Sequence, residues 1–310
     1  MINEFICKKK YGEVTSIRKM NGAGPNISWL IATDENKKVI LQKNSLPLSH
    51  LTLIDEIMGI LFEQGIPISP FLNIEAGSNL DCVWIIKTFV DGRNCDLSIL
   101  NDIKQASNVL KRIHSIPIDN MNNNYYYLSP HDPIHWLVNS EDKINNFFRS
   151  IGNDNNYIKL IKYCEESIGN MSLHDYKKLP HSIVHGDFHG GNIIFKKKYL
   201  EQIIDFDTLC VSPRIHDLSY SWFLLCRKER GGFNVNVEYS KMFFNNYFKN
   251  NQLSILEKKF FKHVLILRLI PTSDYLFQLK KSKPAFFKKY LSWTIRALES
   301  VSEFFYSFIN

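Results

Sequence analysis

The sequence predicts an α+β chain in two parts: a small β-rich part over residues 1–90 and a larger, mainly helical part over residues 91–310. Short β-branched and aromatic runs, separated by turn residues, fill the first part. Beyond residue 97 the apolar residues recur at helical intervals instead of alternating. The change falls at Val90-Asp91-Gly92, a turn that follows an apolar run. With 45% apolar and 22% charged residues over 310 positions, the chain is long enough to bury a large core.

Residues 12–18 and 27–33 have strand composition, with the turn Asn21-Gly22-Ala23-Gly24-Pro25-Asn26 between them. Asp34-Glu35-Asn36 makes a second turn ahead of Val39-Ile40-Leu41. Over residues 51–64, Leu51, Ile54, Ile57, Met58, Leu61 and Phe62 trace a helix face, and Gly65 with Pro67 closes it. Residues 83–89 form an apolar strand interrupted only by Lys87. Leu97, Leu100, Ile103, Val109, Leu110 and Ile113 mark a helix over 97–114, and the Asn- and Tyr-rich stretch 120–127 reads as a surface loop. Residues 253–308 read as two or three amphipathic helices whose Phe and Tyr stripes face a core.

Bulk properties exclude several function classes. No apolar run approaches the length of a membrane span, and Met1 to Lys10 places its lysines after its apolar residues, the reverse of a secretory signal. A cytoplasmic protein without a membrane partner is expected. The six cysteines show no Cys-x-x-Cys and no zinc spacing. A net charge of +7 is spread along the chain; its densest clusters, Lys196-Lys197-Lys198 and Lys280-Lys281 with Lys283, are too short for a nucleic-acid surface.

The chemistry sits in Ile183-Val184-His185-Gly186-Asp187-Phe188-His189-Gly190-Gly191-Asn192-Ile193-Ile194-Phe195. Four residues separate Asp187 from Asn192, and a His precedes the Asp by two. That is the spacing of the protein-kinase catalytic loop, with Gly186 in place of Arg. A carboxylate there can accept a hydrogen bond from an attacking hydroxyl and take its proton late. An amide oxygen five residues on can ligate Mg²⁺ without adding a full charge beside the base. A hairpin pattern follows, Ile193-Ile194-Phe195 and then Gln202-Ile203-Ile204, and delivers Asp205-Phe206-Asp207. Asp205 stands where the metal-binding Asp of the kinase Asp-Phe-Gly segment stands. Because Asp207 replaces the Gly, no activation-loop switch is implied. A Ser-His-Asp hydrolase lacks its Gly-x-Ser-x-Gly elbow here.

On these residues the chain resembles the aminoglycoside phosphotransferase and choline kinase-like superfamily, small-molecule kinases with the two-lobed protein-kinase-like fold. The resemblance rests on His185-Gly186-Asp187 to Asn192, Ile204-Asp205-Phe206 and Pro213-Arg214-Ile215-His216-Asp217-Leu218. Weaker agreement lies in Gly65-Ile66-Pro67-Ile68, residues 84–92 and residues 110–117. It implies ATP and Mg²⁺ between the lobes and a small-molecule hydroxyl acceptor, with no nucleic acid. In roles, it implies Asp187 as base, His185 holding the catalytic loop, and Asn192 and Asp205 on the metal. Asp217 opens a helix and supports the loop. Backbone groups at Thr88 and Val90 meet adenine, and residues 21–28 form the hairpin over the phosphates. A third-strand cation touches the phosphates and pairs with an acid on the next helix. In Val39-Ile40-Leu41-Gln42-Lys43 that place falls on Gln42, so Lys43 serves only if a bulge turns it inward, with Glu56 as partner. Amino sugars, amino alcohols and sugars all remain open as acceptors, and a strongly acidic acceptor cleft is what an aminoglycoside requires. A non-catalytic scaffold of the same fold is the alternative reading; it is opposed by the presence of Asp187, Asn192 and Asp205 and favoured only by Gln42.

Overall fold

The computed structural model describes residues 6, 11–20, 26–77, 82–138, 142, 144–145, 155–229, 231–248 and 252–304. In the first part, β1 (Val14–Lys19), β2 (Ile27–Thr33) and β3 (Lys38–Asn44) run as an antiparallel meander into helix α1 (Leu48–Glu63), followed by β4 (Asn73–Ala76) and β5 (Val83–Thr88). The five strands form one sheet in the order β1-β2-β3-β5-β4. The expected turn over residues 21–26 falls mostly outside the described residues. Strand alternation divides the sheet cleanly. Ile31, Val39, Leu41 and Ile86 pack with Ile6 on one face, whereas Val83 and Ile85 join Leu51, Ile54, Met58 and Leu61 of α1 in the main core.

The second part carries a two-residue strand β6 (Arg93–Asn94), α2 (Leu100–His114), α3 (Ile134–Val138), α4 (Asn155–Gly169) and α5 (Leu173–Lys177). Then come β7 (His181–Val184), β8 (Ile193–Lys196), β9 (Tyr199–Ile203) and β10 (Cys210–Pro213). Helices α6 (Ile215–Leu225), α7 (Val237–Tyr247), α8 (Ile255–Leu269), α9 (Ser273–Ser282) and α10 (Pro284–Phe304) follow. The 97–114 helix begins later than its apolar periodicity implies. Asp96 accepts hydrogen bonds from the Ser98 backbone N–H at 2.9 Å and hydroxyl at 2.7 Å, and this local turn keeps residues 96–99 out of the helix. In the expected loop over 120–127, Asn122 caps a single 3₁₀ turn, and Tyr125 and Tyr127 pack on the core. The C-terminal stretch resolves into three helices, the first opened by a capping box between Ser254 and Glu257. Among the described residues no helix is long and apolar enough to cross a membrane.

Two small antiparallel ribbons position the chemistry. β7 pairs with β10, and β8 pairs with β6 and β9. Residues 185–192 connect β7 to β8, so both ends of this loop are tied to paired backbone.

Candidate active site

Asp217, in the first turn of α6, organises the loop. Its carboxylate is fully buried and accepts the backbone N–H groups of His185 at 2.5 Å and Gly186 at 2.8 Å. His114 of α2 lies 3.4 Å from the same carboxylate and is braced by the Tyr247 hydroxyl at 2.6 Å. Burial opposes the Asp217 charge, but His114 outweighs it and holds the carboxyl below its ordinary pKa. Gly186 takes φ +77°, and a Cβ there would stand 2.5 Å from the Thr208 carbonyl oxygen. This explains why glycine stands where protein kinases carry arginine.

His185 is fully buried. Its Nδ1 accepts the Asp187 N–H at 3.2 Å, so the ring proton sits on Nε2, which donates to the Ile204 carbonyl at 3.1 Å. The imidazole thereby ties the loop to the end of β9. It is a positioning residue, sealed from the cleft between Phe188 and Phe206.

Asp187 is held from three sides. The Asn192 amide donates to its Oδ2 at 3.1 Å and to its carbonyl at 3.0 Å, and His189 Nε2 lies 3.4 Å from the same Oδ2. Arg268 of α8 reaches Oδ1 at 3.5 Å and hydrogen-bonds the Gly186 carbonyl. Burial pushes the Asp187 pKa up, but the His189 hydrogen bond and charge, followed by the Arg268 charge, pull it well below the ordinary carboxylate range. Such a carboxylate is a weak base but a good hydrogen-bond acceptor, suited to orienting a hydroxyl whose proton leaves late.

Asp205, just past β9, is in the left-handed region at φ +68°, a conformation that costs energy in a residue other than glycine. Burial first, and then the neighbouring Asp207 charge, push its pKa up. Asp207 bridges the two lobes: its Oδ2 accepts from Asn26 at 2.6 Å and Asn44 at 3.2 Å, and its Oδ1 lies 3.6 Å from Lys87 Nζ. Among the described residues no cluster of three or more His, Cys, Asp or Glu could hold an ion by itself. The available donors are therefore the Asp205 carboxylate and the Asn192 amide oxygen, whose NH₂ is already committed to Asp187. Such an oxygen-only, incomplete set suits Mg²⁺, which takes one or two protein oxygens and completes its shell with water and phosphate.

The phosphate-side expectation is corrected in part. β3 pairs in unbroken register with both β2 and β5, without a bulge. Gln42 therefore faces inward and lines the cleft, while Lys43 is exposed on the opposite face. Glu56 accepts the Tyr125 hydroxyl at 2.6 Å at the surface, and the two do not meet among the described residues. Lys87 of β5, in register with Ile40, occupies the inward face instead. It lines a cavity of about 480 Å³ with Gln42, Thr88, Val90 and Asp205, its ammonium over the Phe71 ring at 5.3 Å. Thr88 and Val90 line the same cavity. Lys87 and Arg268 had a sequence signal, a lone charge inside an apolar strand and inside the apolar run 264–270, which periodicity alone does not assign.

A second cavity, of about 1190 Å³, opens past His189 and Tyr220. Asn94 lines both cavities. His189, 3.4 Å from the Asp187 carboxylate, lines the second cavity, and Asp205 lines the first.

A model of the phosphotransferase enzyme family, APH, matches residues 21–240. No curated protein sequence matches. Among solved structures, an aminoglycoside phosphotransferase from Alicyclobacillus acidocaldarius superposes with a TM-score of 0.63 at 12% identity, over 95% of this chain and 91% of that one. Spectinomycin phosphotransferase APH(9)-Ia, in complex with ADP and spectinomycin, gives 0.66 at 16% identity, over 97% of this chain and 98% of that one. Amicoumacin kinase hAmiN, in complex with AMP-PNP and Ca²⁺, gives 0.64 at 12% identity, over 95% and 93%. At these identities the likeness establishes the α+β, protein-kinase-like fold.

Proposed function

This chain belongs to the phosphotransferase enzyme family, and from that premise we propose that it moves the γ-phosphoryl group of ATP to a hydroxyl of a small molecule. The observation that carries the reading is the loop that joins Asp187 to Asn192 and to His189, with His189 lining a cavity large enough for an acceptor and Asp205 and Lys87 lining another. In the reaction a bond forms between the acceptor oxygen and the γ-phosphorus, and the bond from that phosphorus to the β–γ bridging oxygen breaks. ADP leaves with the electron pair. The hydroxyl proton passes to Asp187 late, as the oxygen loses its basicity, and then to water. Asn192 and Asp205 would hold Mg²⁺, which, when bound, neutralises charge on the phosphates.

Lys87 supplies the cation that β3 lacks. It also lowers the pKa of Asp205 against the effect of Asp207, keeping Asp205 ready for a metal. Lys87→Met should weaken Mg-ATP binding about 10-fold, the value of one charge-assisted phosphate contact, whereas Lys43→Met should leave it unchanged. Titration calorimetry of the two variants checks this, and equal losses would return the role to Lys43.

Mg-ATP at 100 times its dissociation constant should stabilise the wild-type protein by about 2.7 kcal/mol, read as a rise in Tm. Absence of any rise would favour a non-catalytic scaffold. Acceptor-dependent ADP release then completes the assignment.

A further inference from the structure

The walls of the second cavity carry information about the acceptor. Four cationic side chains line it, Arg93, Arg227, Lys228 and Lys289, against two carboxylates, Asp96 and Glu229. Their partners decide which charges remain for a ligand. Arg93 is spent on buried Asp102, which it grips at 2.5 and 3.0 Å. Asp96 is turned onto Ser98 by the two hydrogen bonds described above. Lys228 and Lys289 are exposed and have no ion-pair partner among the described residues. Among the described residues of the wall, Glu229 and Asp96, which Ser98 orients without neutralising, are the carboxylates that oppose Lys228, Lys289 and Arg227.

The aromatic side of the cavity is likewise unsuited to a cation. Trp293 of α10 is stacked by Tyr290 at 6.3 Å and overlain by the Arg227 guanidinium at 5.7 Å, and its indole N–H donates to the Gly231 carbonyl at 2.8 Å. Arg227 is buried, so its charge remains against that ring. An ammonium seeking the Trp293 face would meet a guanidinium already in place. Tyr290 and Phe286 still border the cavity with ring surface.

We propose that the acceptor is an anionic hydroxylated small molecule. Its anionic group meets Lys228 and Lys289, its carbon frame lies along Tyr290 and Phe286, and its hydroxyl reaches Asp187. This rests on the phosphotransfer reading above and narrows it. A polycationic amino sugar needs a wall of unpaired carboxylates, and this wall carries an excess of cationic groups instead.

The test uses matched frames that differ in charge. Glucuronate, glucose 6-phosphate, glucose and glucosamine form one set; glycerate, glycerol 3-phosphate, glycerol and 3-aminopropane-1,2-diol form the other. Binding is measured by ligand-observed NMR on the full chain, and turnover by ADP release. Anionic members should bind about 10-fold tighter than the ammonium member of the same frame, and the carboxylate and phosphate arms tell which anion fits. Lys289→Glu, at an exposed position of α10, should reduce that ratio about 10-fold. Tighter binding of the ammonium members, or no charge preference in either frame, would overturn the inference. Anion-selective binding without ADP release would sink the phosphotransfer reading alone. ADP release that favours ammonium acceptors would sink this inference alone.

Discussion

Asp187→Asn lowers kcat by about 10³-fold at saturating nucleotide and acceptor, within the range set by losing a positioned acid–base group, while the dissociation constant for Mg-ATP stays within a few fold. The substitution keeps the side chain's shape and leaves one oxygen, enough to face Asn192 or Arg268 but not both, and it removes the charge proposed to orient a hydroxyl and take its proton. Because His189 and Arg268 outweigh burial and hold the wild-type carboxyl well below the ordinary range, Asp187 is ionised near neutrality, and protonation of Asp187 should not limit the rate there. Single-turnover kinetics with quenched-flow detection separates this chemical defect from a binding defect. A variant with near wild-type turnover would remove Asp187 from the reaction.

The second large effect is on stability. Asp217→Ala removes a buried carboxylate that two backbone N–H groups and His114 require, and should cost about 3–5 kcal/mol of folding free energy. Denaturant unfolding measures it. The sign with pH follows from the depressed pKa of Asp217. Its stabilisation is fully present above the unfolded value of 3.8 and is lost as pH falls through the lower folded value. The gap between wild type and variant should therefore be constant near neutrality and shrink only below the ordinary carboxylate range. A gap that changed between pH 7 and 6 would contradict this.

The fold and the course of the segment from Asp187 to Asp205 were legible in the sequence because both depend on local rules. Residues 27–33 form the strand their composition predicts, and the spacing from Asp187 through Asn192 to Asp205 is set by one loop and one hairpin. What was not legible depends on which face a residue takes. Gln42 and Lys43 are neighbours whose roles differ only by the pleat, and the unbroken pairing of β3 with β2 and β5 decides between them. Lys87 and Arg268 reach the site from β5 and α8, elements distant in sequence from the loop, so spacing along the chain does not reveal them. The late start of α2 is a smaller case, in which the Asp96–Ser98 turn prevailed over apolar periodicity. The second cavity draws its walls from β6, the 185–192 loop, α6 and α10, a combination only the tertiary structure displays.

The most direct test of the account is anomalous scattering from Mn²⁺ in crystals grown with AMP-PNP. The account predicts a manganese peak about 2.0–2.3 Å from an oxygen of Asp205 and from Asn192 Oδ1, with the γ-phosphate turned toward Asp187. Manganese bound elsewhere, or nucleotide bound with neither residue in its metal shell, would contradict it.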